Sequence, residues 1–279
     1  MAENDTPLKI NDILALLDNA NKSLESKVKL PSITEEVVLL PLNANHTKNI
    51  IKSATSGLFS DNQYNLVFFQ ILNEVVKCPL ASLNLYDKEI ISLHLRSKNI
   101  SDTLEVDVSG LIKDEEGEDK VDRTKKTVSI SSILEKLKPV TFEDQVIECD
   151  EYNVVMNFPS VTEEYQFDEH LFKNKLASID EENKKSLKGL IGPIFVYNIA
   201  QYVKELVIGD KTISLSNKKV EERLAVVEKL SANSINKIIQ KIDSHFGKML
   251  QSITDVSYTK DGTKYSGSIK IGAELFISN

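Results

Sequence analysis

The chain has 279 residues, with 34 basic against 42 acidic side chains, a net charge of −8 and a pI near 5.2. A polypeptide of this length buries about three quarters of its unfolded surface, so no disulfide or metal is needed to hold a core, and 41% hydrophobic with 27% charged residues argues against a disordered or fibrous chain. The negative charge repels a phosphate polyanion, and Arg96, Arg123 and Arg223 are the only arginines, so nucleic acid is not an expected partner.

Behind a polar start, Ile10, Ile13, Leu14 and Leu17 recur at helical spacing, with Asn11 or Asp12 as N-cap, and predict an amphipathic helix that docks as an arm. Pro31 separates it from a β-branched run over 32–42 that reads as a strand. A helix is expected from Thr47, with Ile50, Ile51 and Ala54 on one face and Gly57 at its end. The segment 63–76 is the most hydrophobic helix: Tyr64, Val67, Phe68, Ile71, Leu72 and Val75 follow the i, i+3, i+4 rule and belong in the core. Asp87 is the expected N-cap of a helix over 88–97, although Ile91, Leu93 and Leu95 alternate as a strand would. Residues 104–108 alternate as a strand that leads into the acidic tract 113–122, expected to be a solvated loop. Strand 127–130, a short helix at 133–137 and strands near Val146 and Val154 follow.

A charged helix is expected over 162–173 and a second helical region over 180–203, kinked at Gly192-Pro193. Gly209-Asp210 suits a two-residue primed turn, making 206–215 a hairpin with Leu206 opposite Ile213. A helix over 218–230 is punctuated by Ser231, after which Ile235, Ile238, Ile239, Ile242 and Phe246 form a helical stripe. Asp261-Gly262 sets a last hairpin in which Tyr258 and Tyr265 are a cross-strand pair. The pattern is α+β: mixed helices and short antiparallel hairpins, ending in a hairpin-helix-helix-hairpin unit. Three regions are expected: an N-terminal helical arm (1–28), an α+β domain with the acidic loop (29–185), and a C-terminal α+β unit (186–279).

Equipment for bond-making chemistry is hard to find in this order of residues. Neither a Walker-type nor a dinucleotide glycine fingerprint occurs, so no cofactor is expected. His46, His94, His170 and His245 sit in four separate segments without paired spacing, so no metal site is expected. Asp168, Glu169 and His170 are consecutive on a helix and point in different directions, and the acidic tract lacks calcium-loop spacing. Cys78 and His94 could be assembled as a nucleophile pair only on paper, and Cys78 abuts the most apolar helix as an inert thiol would. Asp87 and Arg96 read as a structural pair. Cys78 and Cys149 form no Cys-x-x-Cys motif, no secretory leader is expected from MAENDTPLKI, and the apolar run 190–197 is too short to span a membrane. The expected compartment is the cytoplasm, with no membrane role. No catalytic, cofactor or metal residue is assigned. The candidate partner surfaces are the arm (Ile10, Ile13, Leu14, Leu17) and the stripe (Ile235, Ile238, Ile242), each set against ordinary internal packing.

Three stretches together resemble the T4-like bacteriophage baseplate hub and tail-assembly protein family: Val38-Leu39-Leu40-Pro41-Leu42 followed by a helix over 48–56, the acid-led run from Asp87 to Ser97, and the hairpin-helix-helix series from Tyr202 to Ile239. The resemblance covers about 35–110 and 190–275 and leaves 110–185 unmatched. It implies a non-enzymatic baseplate component or assembly factor, made in the bacterial host's cytoplasm and either kept in the virion tail baseplate or released after assembly, whose partners are other baseplate and hub proteins. The alternatives from the residues themselves are a cytoplasmic enzyme with a site assembled from dispersed side chains, and an adaptor unrelated to phage. Oligomeric state is not legible.

Overall fold

Short polar caps decide where several helices of this chain start. The computed structural model describes residues 9–55, 60–113, 117–149, 151–176 and 191–277. In chain order these form α1 (Ile10–Lys22), the hairpin β1 (Ser26–Lys29) and β2 (Glu36–Leu39), α2 (Ala44–Ala54), α3 (Ser60–Val75), α4 (Leu85–Asn99), β3 (Thr103–Lys113), β4 (Asp119–Ser129) and α5 (Ile130–Glu135). They continue with β5 (Gln145–Glu148), β6 (Asn153–Met156), α6 (Val161–Leu171), α7 (Ile191–Ala200), β7 (Val203–Ile208), β8 (Lys211–Ser214) and α8 (Val220–Val227). The end of the chain supplies α9 (Ala232–Lys241), α10 (Lys248–Thr254), β9 (Asp255–Lys260) and β10 (Thr263–Ser268). Helices α2, α4 and α6 open on reciprocal caps, Asn43 with His46, Asn84 with Asp87, and Ser160 with Glu163, each satisfying two backbone N–H groups that the first turn leaves free. Asp87 is therefore the third helical residue of α4, not its N-cap. Likewise α1 caps on Lys9 without a side-chain bond, and Asn11 and Asp12 lie inside its first turn.

The α+β reading holds. All strand pairing is antiparallel, in a two-stranded sheet β1-β2 and two four-stranded sheets of order β4-β3-β10-β9 and β5-β6-β7-β8. Both expected registers are observed: Leu206 pairs with Ile213 and Tyr265 with Tyr258, whose rings stack at 5.2 Å. The last turn has Asp261 and Gly262 both at positive φ (49° and 80°), the requirement of a type I′ turn. Where β10 runs beside β3 the backbones approach so closely that a Cβ on Gly267 would lie 2.2 Å from the Asp107 carbonyl oxygen.

Several expectations are corrected. The acidic tract is strand at its two ends, since β3 extends to Lys113 and β4 begins at Asp119, paired residue by residue over eleven positions, while Gly117 and Glu118 lie between the strands and 114–116 lie outside the described residues. The expected strand at 127–130 ends at Ser129, and the helix begins at Ile130. The region expected to be helical to 203 ends at Ala200, and Val203 opens β7; its part before residue 191, like Gly57, lies outside the described residues. Hairpin β1–β2 was not foreseen, because its first strand, Ser-Lys-Val-Lys, has a single apolar residue.

Two hydrophobic cores result. The first gathers α2, α3, α4, β3 and the last segment of the chain, including Phe68, Leu72, Ile91, Leu93, Ile253 and Phe276. The second gathers β5 to β7 and Leu215 with α6 to α9, including Val154, Met156, Phe167, Val203, Ile238 and Phe246. β7 and β8 join β5 and β6 in one sheet, while β9 and β10 return to β3 in the other. An aromatic seam, Tyr86 to Phe142 to Phe158 to Phe246, with centroids 5.7, 5.8 and 4.8 Å apart, connects the cores.

Candidate functional site

The apolar stripe of α1 stays open to water. Ile10, Ile13, Leu14 and Leu17 are 66, 39, 51 and 53% exposed, and Leu16, which sequence spacing did not single out, is 57% exposed. A helix normally turns such a stripe onto a core, and here no described element buries it. The second candidate surface behaves differently. Ile238 has no exposed surface, Phe246 is buried, and Ile235 and Ile242 are half-buried against the second core. That stripe is occupied by the chain's own packing, which leaves α1 as the uncovered one of the two.

Sequence spacing missed the polar junction between the cores. The first turn of α6 carries Glu163 and Glu164. Glu163 accepts from Arg223 Nη1 at 2.8 Å, Lys204 Nζ at 2.7 Å and its own cap, Ser160 N, at 2.9 Å. Arg223, 2% exposed, donates through Nη2 to the carbonyls of Ala200, Gln201 and Val203 and lies 4.8 Å from the Phe167 ring centre. Glu164 takes both its bonds from Lys88 Nζ, at 2.7 and 2.6 Å, and Lys88 also donates to Asn65. Asn62 and Asn65 in turn donate to Asp168, one turn along α6. Burial would raise the Glu163 carboxyl, but Lys204, the Ser160 amide and Arg223 together hold it below the usual range. Asp168 goes the other way: burial and then the charge of Glu164 push it up to about 6 against the pull of Lys88. Burial likewise pushes Glu89 to about 7, although Lys88 opposes it. The one sequence sign of this junction was the capping box Ser160-x-x-Glu163; its partners lie 41 to 76 residues away.

Glu163, Glu164 and Asp168 are each held by named side chains, whereas Glu89 Oε2 is buried without a hydrogen-bond partner among the described residues. Asp168, Glu169 and His170 diverge as helical geometry demands, Asp168 to the two asparagines, Glu169 to Tyr165 and Lys173, and His170 to Tyr197 and Glu221. Both ring nitrogens of His170 are engaged, Nδ1 at 2.6 Å from the Tyr197 hydroxyl and Nε2 at 3.0 Å from Glu221, so the imidazole ties α6, α7 and α8 together. His94 is a core histidine against Ser26, and burial lowers its pKa. Burial raises the Cys78 thiol. Asp87 binds Ser32 and Asn84, while Arg96 donates to the Ser101 carbonyl. No group of three or more His, Cys, Asp or Glu with metal-binding geometry occurs among the described residues, and no helix among them is long and apolar enough to cross a membrane.

No curated protein and no solved structure matches the chain. A family model described as T4 bacteriophage base plate protein matches residues 23–269, and so takes in the 110–185 stretch that the local motifs left unassigned. Helix α1, which ends at Lys22, lies just outside the matched span. With most of its length matched, the chain belongs to the T4 bacteriophage base plate protein family.

Proposed function

We propose that this chain is a non-enzymatic component of the contractile-tail baseplate hub, or of its assembly, and that it works by laying α1 against another baseplate protein. The observation that carries the reading is the helix itself, with five large apolar side chains between 39 and 66% exposed. Fully burying one such side chain is worth roughly 1.5–3 kcal/mol, so closing the stripe supplies several kcal/mol to an association. A thirteen-residue helix is marginal alone in water, and docking would complete it. A protein groove suits this helix better than a lipid surface, because its polar positions include Asn11, Asp12, Asn19 and Asn21 and lack the lysine excess of membrane-surface helices. The body that follows, residues 23–269, is what the family shares.

The test replaces Leu14 and Leu17 together by Asp and asks whether the full-length chain still co-purifies with the baseplate proteins of its own phage. The expected result is a folded chain that no longer assembles. Undiminished assembly by the double variant contradicts the proposal.

A further inference from the structure

The sheet β4-β3-β10-β9 ends in an edge strand that the fold does not cover. β4 is paired on one side only, to β3, over eleven residues, which is about 37 Å of strand. From Asp119 to Thr127 every residue except Asp122 is exposed, and on such an edge the N–H and C=O groups of alternate residues face outward. Its charge is unlike that of the rest of the molecule. Between Lys120 and Lys126 stand four bases, Lys120, Arg123, Lys125 and Lys126, against one acid, Asp122, in a chain of net charge −8. Three of these five are already engaged: Lys125 with Glu105 at 3.1 Å, Lys126 over the Tyr258 ring at 4.9 Å, and Asp122 with the Tyr265 hydroxyl at 2.7 Å. Lys120 and Arg123 have no ion-pair partner among the described residues.

Resting on the functional reading above, we infer that β4 is a second docking surface, which takes an extended acidic segment of another baseplate protein as a fifth strand. Main-chain bonds along the edge supply affinity, and carboxylates opposite Lys120 and Arg123 supply register. These two residues are three positions apart on a strand, so they lie on opposite faces, and the matching segment carries acids on both of its faces. A second copy of the chain fits poorly. Antiparallel pairing of two β4 strands centred on Arg123 or Thr124 would set Arg123 against Arg123 or against Lys125, and like charges directly opposed are destabilising.

The test uses the full-length chain with the baseplate proteins of its phage, following amide hydrogen exchange over 119–129 free and assembled, in the wild type and in a Lys120→Glu/Arg123→Glu variant. Both replaced side chains are exposed and have no ion-pair partner among the described residues, and circular dichroism verifies the fold. The inference predicts at least tenfold slower exchange at alternate β4 amides on assembly, and at least tenfold weaker, less salt-sensitive assembly by the variant. Unchanged exchange over 119–129 alongside new protection over 10–22 overturns this inference and leaves the functional reading standing. Undiminished assembly by the variant also overturns it. Protection of β4 in the isolated chain through self-association overturns the acidic partner in favour of a second copy. Failure to assemble with any baseplate protein removes both readings.

Discussion

Glu163 and Glu164 are neighbours in the first turn of α6 yet bind different halves of the molecule, Glu163 to Arg223 and Lys204 of the second core and Glu164 to Lys88 of the first. Consecutive helical residues point about 100° apart, and α6 lies between the cores, with Val161 in one and Phe167 and Leu171 in the other. Two adjacent carboxylates thus tie the halves together, in a family whose members take part in a multi-protein assembly.

Replacing Glu163 by Ala removes the partner of a buried guanidinium and of a half-buried ammonium and opens the α6 cap. Uncompensated buried charge costs about 3–5 kcal/mol. The expected outcome, measured by urea unfolding, is a loss in that range. Glu169→Ala, which breaks an exposed i,i+4 pair with Lys173, should cost less than about 0.5 kcal/mol.

The junction also gives stability a pH dependence of definite sign. Asp168 at about 6 and Glu89 at about 7 bind their protons more tightly folded than unfolded. Their effect is absent below the unfolded carboxylate range near 4, and it reduces stability progressively as pH rises to about 7. Glu163 and Asp102 run the opposite way. Burial would raise Asp102, and the hydroxyls of Ser131, Ser129 and Ser97 overcome it, so both carboxyls sit low and their contribution is lost as pH falls from near 4. Urea midpoints for an Asp168→Asn variant should show the fall between pH 5 and 7.5 reduced by roughly 1–2 kcal/mol relative to wild type.

Glycine positions should separate by crowding. At Gly267 a methyl group meets the Asp107 carbonyl at 2.2 Å and Val108 Cγ1 at 2.9 Å, so Gly267→Ala must push β10 from β3 and should cost about 3 kcal/mol or more. Gly209, at φ +57° with open space around it, has only backbone strain to lose, about 1 kcal/mol in Gly209→Ala. Thermal unfolding of the two variants makes the comparison.

The two isoleucine- and leucine-rich stripes should respond oppositely to charge. Ile238→Asp puts a carboxylate at a site without exposed surface and should cost about 4 kcal/mol or more, unfolding the second core. Leu14→Asp, half in water already, should leave the unfolding midpoint of the body within about 0.5 kcal/mol.

What could be read in advance was what local chemistry decides. Gly209-Asp210 and Asp261-Gly262 set two registers because a primed two-residue turn permits only one pairing across it. The 3.6-residue period found α3, the acid Asp87 at the start of the run pointed to α4 against the strand-like alternation of Ile91, Leu93 and Leu95, and the apolar spacing of Ile10 to Leu17 found the arm. The end of the acidic tract, 119–122, reads as a loop because β4 is an edge strand whose polarity resembles one. The discontinuous cores and the Glu163–Arg223 contact depend on pairings between distant segments, such as Ser109 with Ser266, which no local period records. Exposure of α1 rather than of the 235–246 stripe was equally illegible, since both show the same apolar spacing and only the presence of a facing surface distinguishes them.

The most direct measurement is hydrogen exchange over Ile10–Lys22 in the full-length chain, alone and within the assembled baseplate. The account predicts fast exchange of α1 in the free chain and strong protection on assembly, with Leu14 and Leu17 at the contact. A baseplate-bound chain in which α1 exchanges as quickly as in isolation would contradict it.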